Sequence, residues 1–300
     1  MSRYILAVDQ STQGTKGLLF NEDGELVCRA DRPHRQIISP LGWVSHDPEE
    51  IRRNTLAVCR DTVEKAGIDK GSIAAFGISN QRETTVAWDR ETGKSICDAI
   101  VWQCARAEAV CERLSDMADT VRARTGLHLS PYFPAAKMGW IMENVPEAKK
   151  LADEGRLCLG TVDSWLLSFL TKEKVHATDY SNASRTQLFD IIALRWDEEF
   201  CRAFGVPVEA LPEVRMSDSV FGTTDLDGYL DSPIPICGVL GDSHGALFGQ
   251  DCRRPGQVKA TYGTGSSVMM NIGDEPRFSS GGLVTSLAWG MNGKVEYVFE

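Results

Sequence analysis

The sequence lacks several features that mark particular classes of protein. No two of its nine cysteines form a CxxC motif, and their odd number and scattered spacing fit no zinc or haem pattern. No stretch approaches the roughly 18 apolar residues of a membrane span, and no apolar signal segment opens the chain. The 32 basic residues are outnumbered by 42 acidic ones, for a net charge of −10. These absences predict a cytoplasmic protein with reduced thiols that binds no nucleic acid.

The first half of the chain has the pattern of an α/β protein. Runs of strand-forming residues at 4–8, 16–20 and 26–29 are joined by short polar turns, which indicates an antiparallel meander. A helix is predicted to follow, because Asp47 suits an N-cap and Pro48 the first helical position. Helices and strands then alternate to about residue 250. A meander followed by this alternation predicts an α/β layer fold.

Strands return near the end of the chain, separated by glycine-rich turns. They are predicted at residues 257–262, 266–272, 282–288 and 295–299. Their order of strand, small-residue loop, strand, turn and strand repeats the opening meander. We therefore expect a first domain over residues 1–250 and the truncated start of a second, related domain over 251–300. Because an uncovered sheet of this kind is only marginally stable, the natural chain is expected to continue beyond Glu300.

Two loops of small polar residues have the chemistry of phosphate sites. In the first, Asp9 ends a strand and residues 10–16 read Gln-Ser-Thr-Gln-Gly-Thr-Lys, which offers backbone N–H groups, hydroxyls and an ammonium. Asp9 is expected to reach Mg²⁺ through water. Residues 262–267 repeat this chemistry in the second meander. Together the loops are expected to bracket a triphosphate, although each alone also fits an ordinary polar hairpin turn.

An acidic residue follows the apolar run at 234–240. Asp242 stands between Gly241 and a helical segment, at the strand end where α/β folds bind ligands. A carboxylate there can accept the proton of a hydroxyl whose oxygen attacks phosphorus. A simple N-cap aspartate is the alternative. The nearby His244 is expected to be a structural or exposed histidine rather than a ligand contact.

A loop at residues 80–85 places an arginine beside an acid. Arg82 and Glu83 follow a predicted buried strand and offer a donor next to an acceptor, which suits the adjacent hydroxyls of a polyol. The alternative for these two residues is a surface ion pair.

Taken together and in this order, these four segments resemble the FGGY carbohydrate kinases, and among them most closely the glycerol kinases. Residues 132–144 fit the first signature pattern of that family. The other stretches that read like glycerol kinases are residues 80–85, 101–104, 160–163, 178–186 and 246–250. The resemblance spans essentially all 300 residues. It implies a ribonuclease-H-like, actin-like fold with a mixed sheet flanked by helices, and the first strands of a second similar domain.

The resemblance also implies roles for individual residues. The expected reaction is ATP-dependent phosphorylation of a polyol or sugar hydroxyl, glycerol first, with Asp242 as the catalytic base and with Asp9 and Asp242 as the neighbours of Mg²⁺. The residues expected to contact the polyol are Arg82, Glu83, Trp102, Tyr132, Asp242 and Ser243. Those expected to contact the phosphates of ATP are Thr12, Gln13, Gly14 and Lys16 in the first loop, and Thr264 and Gly265 in the second.

Three positions depart from the glycerol kinase pattern. Lys16 replaces the usual arginine and lacks its bidentate fork. Ser243 replaces a glutamine that contacts glycerol, and Ser267 replaces an aromatic residue that packs on the substrate carbons. The two serines leave room for a longer or more polar substrate. A four- or five-carbon polyol or ketose, such as erythritol, xylulose or ribulose, therefore stands as an alternative to glycerol.

Two alternatives belong to other classes. An actin-like ATPase would hydrolyse ATP without a small acceptor, and the polyol contacts at Arg82, Glu83 and Trp102 argue against it. An inactive binding fragment would lack the rest of the nucleotide site. Sequence leaves the oligomeric state open, a homo-oligomer included.

Overall fold

A computed structural model describes residues 3–262 and 266–300. Its strands are β1 (Tyr4–Gln10), β2 (Gly14–Phe20), β3 (Leu26–Pro33), β4 (Ile37–Ile38), β5 (Val44–His46), β6 (Ile73–Asn80), β7 (Thr85–Asp89), β8 (Ala99–Ile100), β9 (Leu157–Thr161), β10 (Ala177–Asp179), β11 (Phe189–Asp190), β12 (Arg195–Trp196), β13 (Glu213–Arg215), β14 (Gly222–Thr224), β15 (Ile234–Gly241), β16 (Val258–Tyr262), β17 (Ser266–Gly273), β18 (Thr285–Met291) and β19 (Lys294–Phe299).

Helices cover the sheets and connect them. They are α1 (Pro48–Ala66), α2 (Glu108–Arg113), α3 (Ala118–Thr125), α4 (Pro134–Asn144), α5 (Pro146–Asp153), α6 (Val162–Leu170), α7 (Tyr180–Ala183), α8 (Glu198–Phe204) and α9 (Asp242–Gly249), with 3-10 turns at Lys70–Ser72, Ser115–Met117 and Val208–Ala210. Within the described residues, no helix combines the length and the apolar character needed to cross a membrane.

A six-stranded mixed sheet organises the first part of the chain. Its strand order is β14-β15-β6-β1-β2-β3. The opening meander β1-β2-β3 is antiparallel, as predicted, whereas β6 and β15 run parallel to β1 on its other side. One hydrophobic core includes Leu6, Val8, Val58, Trp165 and Ile236 and lies between this sheet and the helices α1 and α6. The predicted α/β fold with a mixed sheet flanked by helices is confirmed.

Helix α1 begins and ends as local chemistry requires. The side chain of Asp47 accepts a hydrogen bond of 2.9 Å from the backbone N–H of Glu49, and Pro48 occupies the first turn. The helix stops at Gly67, whose φ of 65° is left-handed. A Cβ atom at Gly17 would lie only 2.6 Å from the carbonyl oxygen of Val58, so glycine there lets α1 pack closely on β2.

A second sheet forms a further layer of the first region. The five-stranded sheet β4-β5-β8-β7-β9 packs against α2, α4 and α8 around a separate core that includes Ala87, Ile100, Met138, Ile141 and Phe200. Because β6 and β7 are joined by only four residues, this sheet and the six-stranded sheet meet at that loop.

The four terminal strands differ from a simple repeat of the opening meander. Their order is β16-β17-β19-β18, so the third strand in sequence lies at the sheet edge and the fourth lies beside β17. Asn292 and Gly293 have φ values of 52° and 75°, which form a tight hairpin turn and make β18 and β19 neighbours. Strand β18 is also held by hydroxyls of the first region: Ser184 accepts from the N–H of Leu287, and Ser217 from the N–H of Gly290, both at 3.1 Å.

Candidate active site

The candidate site residues lie at the carboxyl ends of the parallel strands β1, β6 and β15 of the six-stranded sheet. Asp9 lies opposite Ser79 in the register, and Asn80 lies opposite Gly241. The first predicted phosphate loop, the Arg82 loop and Asp242 therefore leave the sheet at neighbouring points, as expected for ligand sites in α/β folds. Three segments that lie far apart in the sequence are brought together by this parallel pairing.

Asp9 and Lys16 form an ion pair at the mouth of the first hairpin. Lys16 Nζ donates to Asp9 Oδ2 at 2.7 Å, and the hydroxyl of Ser79 donates to Asp9 Oδ1 at 3.1 Å. Both carboxylate oxygens thus already accept one hydrogen bond. Each oxygen keeps a further lone pair, so Asp9 can still accept a hydrogen bond from metal-bound water.

The turn between β1 and β2 is tightly closed. The backbone N–H and the hydroxyl of Ser11 both donate to the carbonyl of Gly14, at 2.9 and 3.0 Å. A Cβ atom at Gly14 would lie 2.6 Å from the carbonyl oxygen of Arg32, so only glycine fits there without a shift. The side chain of Gln13 is exposed, and Thr12 is half-buried. The loop thus presents Thr12 and Gln13 outward on a fixed backbone.

An aromatic wall joins this turn to the second layer. The indole N–H of Trp102 donates to the hydroxyl of Thr12 at 2.9 Å. The ring of Trp102 also packs on Tyr132, with centroids 5.5 Å apart and planes tilted by 58°. Lys137 fixes the Tyr132 backbone, because its buried ammonium donates to the carbonyls of Pro131 and Tyr132. Both aromatic rings are half-buried, which leaves part of this wall open to a ligand.

The Arg82 loop is buried rather than superficial. Arg82 and Glu83 are 6% and 2% exposed, so the alternative of a surface ion pair is wrong. Glu83 has a left-handed φ of 46°, and the N–H of Thr84 bonds back to the carbonyl of Arg82 across this turn. Such a conformation costs roughly 1–3 kcal/mol in a residue with a side chain. The carboxylate of Glu83 is held by Arg185 Nε at 2.6 Å.

Glu300 and Arg185 complete the cluster and had no assigned role in the sequence analysis. Arg82 donates through both terminal nitrogens to the Glu300 carboxylate, at 2.8 and 3.0 Å, and Arg185 approaches the same carboxylate within 2.8 Å. Burial by itself raises the pKa of Glu300, but the two guanidinium groups outweigh it and hold that pKa well below its usual range. Arg185 lies in a motif stretch that sequence had singled out, whereas no sequence signal marked Glu300.

Asp242 is the acid of the cluster that stays most open. It is the first residue of α9, and its Oδ1 accepts the N–H of Ser243 at 2.6 Å and lies 3.5 Å from Arg82 Nε. Protein atoms crowd the carboxyl group, although 41% of the side chain remains accessible. This burial raises the pKa of Asp242; Arg82 opposes the shift, while the charges of Glu83 and Asp9 add to it. A carboxylate with a raised pKa and uncommitted lone pairs suits a general base.

The residues after Asp242 have different environments. Ser243 is half-buried and contributes its N–H to the Asp242 carboxylate. His244 is fully buried, with Nε2 3.4 Å from the hydroxyl of Ser286. Burial and the neighbouring Arg82 keep the pKa of His244 well below its usual value, so this ring is neutral. His244 is a packed structural residue, in agreement with the sequence-based expectation.

The second predicted phosphate loop lies only partly within the described residues. Thr264 and Gly265 lie outside the described residues. Ser267, two positions later, donates its hydroxyl to Glu300 Oε1 at 2.9 Å. The strand after this loop is thereby tied to the carboxylate that clamps Arg82. Across residues 3–262 and 266–300, no group of three or more histidine, cysteine, aspartate or glutamate side chains is arranged to hold a metal ion directly.

Known sequences resemble this chain along nearly its whole length. Residues 4–249 match the family model described as the FGGY family of carbohydrate kinases, N-terminal domain. The chain is 50% identical over 299 residues to glycerol kinase 1 of Thermotoga maritima, covering 99% of this chain and 61% of that protein. It is 49% identical over 300 residues to a glycerol kinase of Chromobacterium violaceum, covering 99% of this chain and 60% of that protein. The chain thus spans about three fifths of the length of these relatives.

Solved structures of carbohydrate kinases have the same fold as this chain. The glycerol kinase of Plasmodium falciparum, determined with ADP, superimposes with a TM-score of 0.92 at 35% identity, covering 99% of this chain and 60% of that one. A gluconate kinase from Lactobacillus acidophilus superimposes with a TM-score of 0.87 at 20% identity, covering 100% of this chain and 59% of that one, which shows the shared fold alone. The strand order, the site at the carboxyl edge and the match over residues 4–249 lead to one conclusion. This chain belongs to the FGGY family of carbohydrate kinases.

Proposed function

We propose that the full-length protein transfers the γ-phosphoryl group of ATP to a hydroxyl of glycerol, giving glycerol 3-phosphate and ADP. The observation that carries this proposal is Asp242, an accessible carboxylate with a raised pKa beside a buried arginine at the ligand-binding edge of the sheet. The glycerol kinases that are about half identical along the chain support the same substrate.

In the proposed reaction, the substrate hydroxyl lies against Asp242. Its oxygen forms a bond to the γ-phosphorus, the bond from that phosphorus to the bridging oxygen breaks, and ADP leaves with the electron pair. Asp242 accepts the hydroxyl proton as the new bond forms. The raised pKa of Asp242 favours this step, because a stronger base removes the proton more readily near neutral pH.

The other residues of the site position the two reactants. Arg82 Nε and Glu83 face the hydroxyl groups, and the half-buried rings of Trp102 and Tyr132 cover the carbon chain. The residues proposed to bind the phosphates of ATP are Thr12, Gln13, Gly14, Lys16, Thr264 and Gly265. Trp102 connects the proposed phosphate-binding and polyol-binding parts of the site, because its indole N–H donates to Thr12 while its ring packs on Tyr132.

Mg²⁺ is the metal ion that this donor set fits. Asp9 and Asp242 both keep unused lone pairs, and Mg²⁺ in proteins is usually held by one or two carboxylates, several waters and the substrate phosphates. When bound, the ion would neutralise the charge that develops on the phosphate oxygens. We also propose that residues 251–300 begin the nucleotide-binding domain and that the protein acts in the cytoplasm.

One observation favours a second substrate class. Ser267 presents a hydroxyl, hydrogen-bonded to Glu300, where an aromatic residue was expected from the family pattern. A polar surface there suits an additional substrate hydroxyl, so a kinase for erythritol, xylulose or ribulose is the second candidate.

The test is an ADP-release assay on the full-length protein with Mg·ATP and separate additions of glycerol, erythritol, xylulose, ribulose or no acceptor. Strong dependence on glycerol supports the first proposal. A preference for a four- or five-carbon acceptor supports the second candidate. ADP release that ignores every acceptor would instead identify an actin-like ATPase, and no release at all would indicate an inactive binding protein.

A further inference from the structure

Lys259 is a buried cation that the proposed mechanism does not use. It lies in β16 and is only 1% exposed, whereas the other four residues of that strand are exposed. Its ammonium makes no hydrogen bond to any residue that the structure describes. Burying an ammonium with its three donors unsatisfied is costly, so such a group calls for an explanation. Binding of a ligand that accepts hydrogen bonds would satisfy this ammonium.

The surroundings of Lys259 are those of the candidate active site. Burial and the charge of Arg82 lower the pKa of Lys259, while the charges of Glu300 and Asp242 raise it. Helix α9, which begins with Asp242, packs against β16. Strand β16 ends at Tyr262, which is also the first residue of the second predicted phosphate loop.

The other cations of this cluster are already engaged. Arg82 uses both terminal nitrogens on Glu300, and Arg185 holds Glu83 and contacts Glu300. Unlike the other cations of the cluster, Lys259 forms no ion pair with a carboxylate of any residue that the structure describes. A phosphoryl group arriving beside Asp242 would bring oxygen acceptors and negative charge to a site that already contains four acids, Asp9, Glu83, Asp242 and Glu300. A fixed ammonium there would be well placed to offset that charge, because it needs no reorganisation in a water-poor environment.

We propose that Lys259 binds the γ-phosphoryl group of ATP as that group is transferred to the hydroxyl held by Asp242. The proposal rests on the phosphotransfer function above and adds to it a phosphate contact on the strand that precedes the second loop. Lys259 would then distinguish ATP from ADP, because only ATP carries the group that it contacts.

The test measures the affinities of ADP and of a non-hydrolysable ATP analogue by calorimetry, without any polyol, in the full-length wild type, Lys259→Met and Lys294→Met. Lys294 is an exposed lysine of the same sheet and receives the same substitution as a control. Lys259→Met is expected to weaken the ATP analogue about 10- to 100-fold, the effect of losing one hydrogen bond to a charged group. ADP binding should change less than about twofold.

Two results would overturn the proposal. An unchanged ratio of the two affinities would show that Lys259 does not touch the γ-phosphoryl group. An equal loss for both nucleotides would show a general structural effect. If Lys259→Met does not fold, as judged by its melting temperature, Lys259→Gln is measured in the same way, and an unchanged ratio in that variant likewise overturns the proposal.

The binding readout separates this inference from the substrate assignment. A wild type that prefers the ATP analogue but releases no ADP with glycerol rejects glycerol as substrate and still tests Lys259 through the ratio. A wild type that phosphorylates glycerol while Lys259→Met keeps the normal ratio rejects the role of Lys259 alone. If the wild type binds no ATP analogue, the proposed phosphotransfer and the role of Lys259 are both rejected.

Discussion

Asp179 and Asp242 lie near the same end of the six-stranded sheet, but their carboxylates have different surroundings. Asp179 is fully buried and accepts five hydrogen bonds, two from Ser181, two from Asn182 and one from Ser217. Asp242 accepts one from Ser243, and 41% of its side chain is accessible. Burial raises the pKa of both carboxyl groups.

The comparison shows that a shifted pKa does not by itself identify a functional residue. What separates the two acids is acceptor capacity. The oxygens of Asp179 are occupied by protein donors, which fix α7 to its neighbours. Those of Asp242 remain largely available to an incoming ligand. We therefore expect substitutions of Asp179 to reduce stability and substitutions of Asp242 to reduce turnover.

The largest expected effect comes from Asp242→Asn. An amide of the same shape cannot accept the hydroxyl proton, so kcat with the preferred acceptor should fall about 10²- to 10⁴-fold. The ADP-release assay measures this, with Asp231→Asn, an exposed aspartate, as the matched control. The melting temperature should stay close to that of the wild type. Turnover within tenfold of the wild type would exclude Asp242 as the base.

Asp179→Asn should show the reverse behaviour. Each oxygen of Asp179 accepts a backbone N–H, Oδ2 from Ser181 and Oδ1 from Asn182, so an amide nitrogen at either position would face a fixed donor. We expect the free energy of unfolding to fall by about 3 kcal/mol, as when a buried charged network loses a member. Denaturant titration of the full-length protein measures the change. A loss of turnover with unchanged stability would contradict the distinction between the two acids.

Asp163 is a second fully buried aspartate, and its raised pKa predicts that the stability of the protein depends on pH. Burial, with the charge of Asp179, raises the pKa of Asp163 from 3.8 to about 7, while the hydroxyls of Thr161 and Thr178 oppose the shift. The folded state therefore binds this proton more tightly than the unfolded state, and the contribution of Asp163 to stability declines as the pH rises from about 4 to about 7.

Asp163→Asn removes this titration. Relative to the wild type, the variant should gain up to about 1.4 kcal/mol of stability for each pH unit across that window. Thermal melts of both proteins at several pH values give the difference directly. A difference that is independent of pH would mean that Asp163 is ionised in the folded protein throughout.

The smallest effect is expected from Ser267→Phe, which tests the accessible side of the Asp242 cluster. The substitution removes the hydrogen bond to Glu300 and adds apolar bulk. If the substrate carbon chain lies there, the ratio of kcat/KM for glycerol over erythritol should rise about tenfold. Ser267→Ala, which loses only the hydroxyl, is the control. An unchanged ratio would place the carbon chain elsewhere.

Short-range patterns predicted much of this molecule. The opening meander, the start of α1 at Asp47 and Pro48, and an acid at the ends of β1 and β15 are all as expected. Strand alternation, capping and turns depend on neighbouring residues, which is why sequence reveals them. The order of the last strands was not predictable in the same way, because Ser184 and Ser217 hold β18 from positions 103 and 73 residues earlier.

The sequence by itself determined which chemical groups stand at the strand ends: Asp9, Asp242 and the Arg82-Glu83 pair. Only the tertiary structure decided what each group is free to do. The terminal nitrogens of Arg82 are committed to Glu300, 218 residues away, which leaves its Nε beside Asp242, while Asp242 keeps its lone pairs. The reason is physical: burial and hydrogen-bond partners come from segments that are distant in the chain, and these partners decide whether a charged group stabilises the fold or remains available to a substrate.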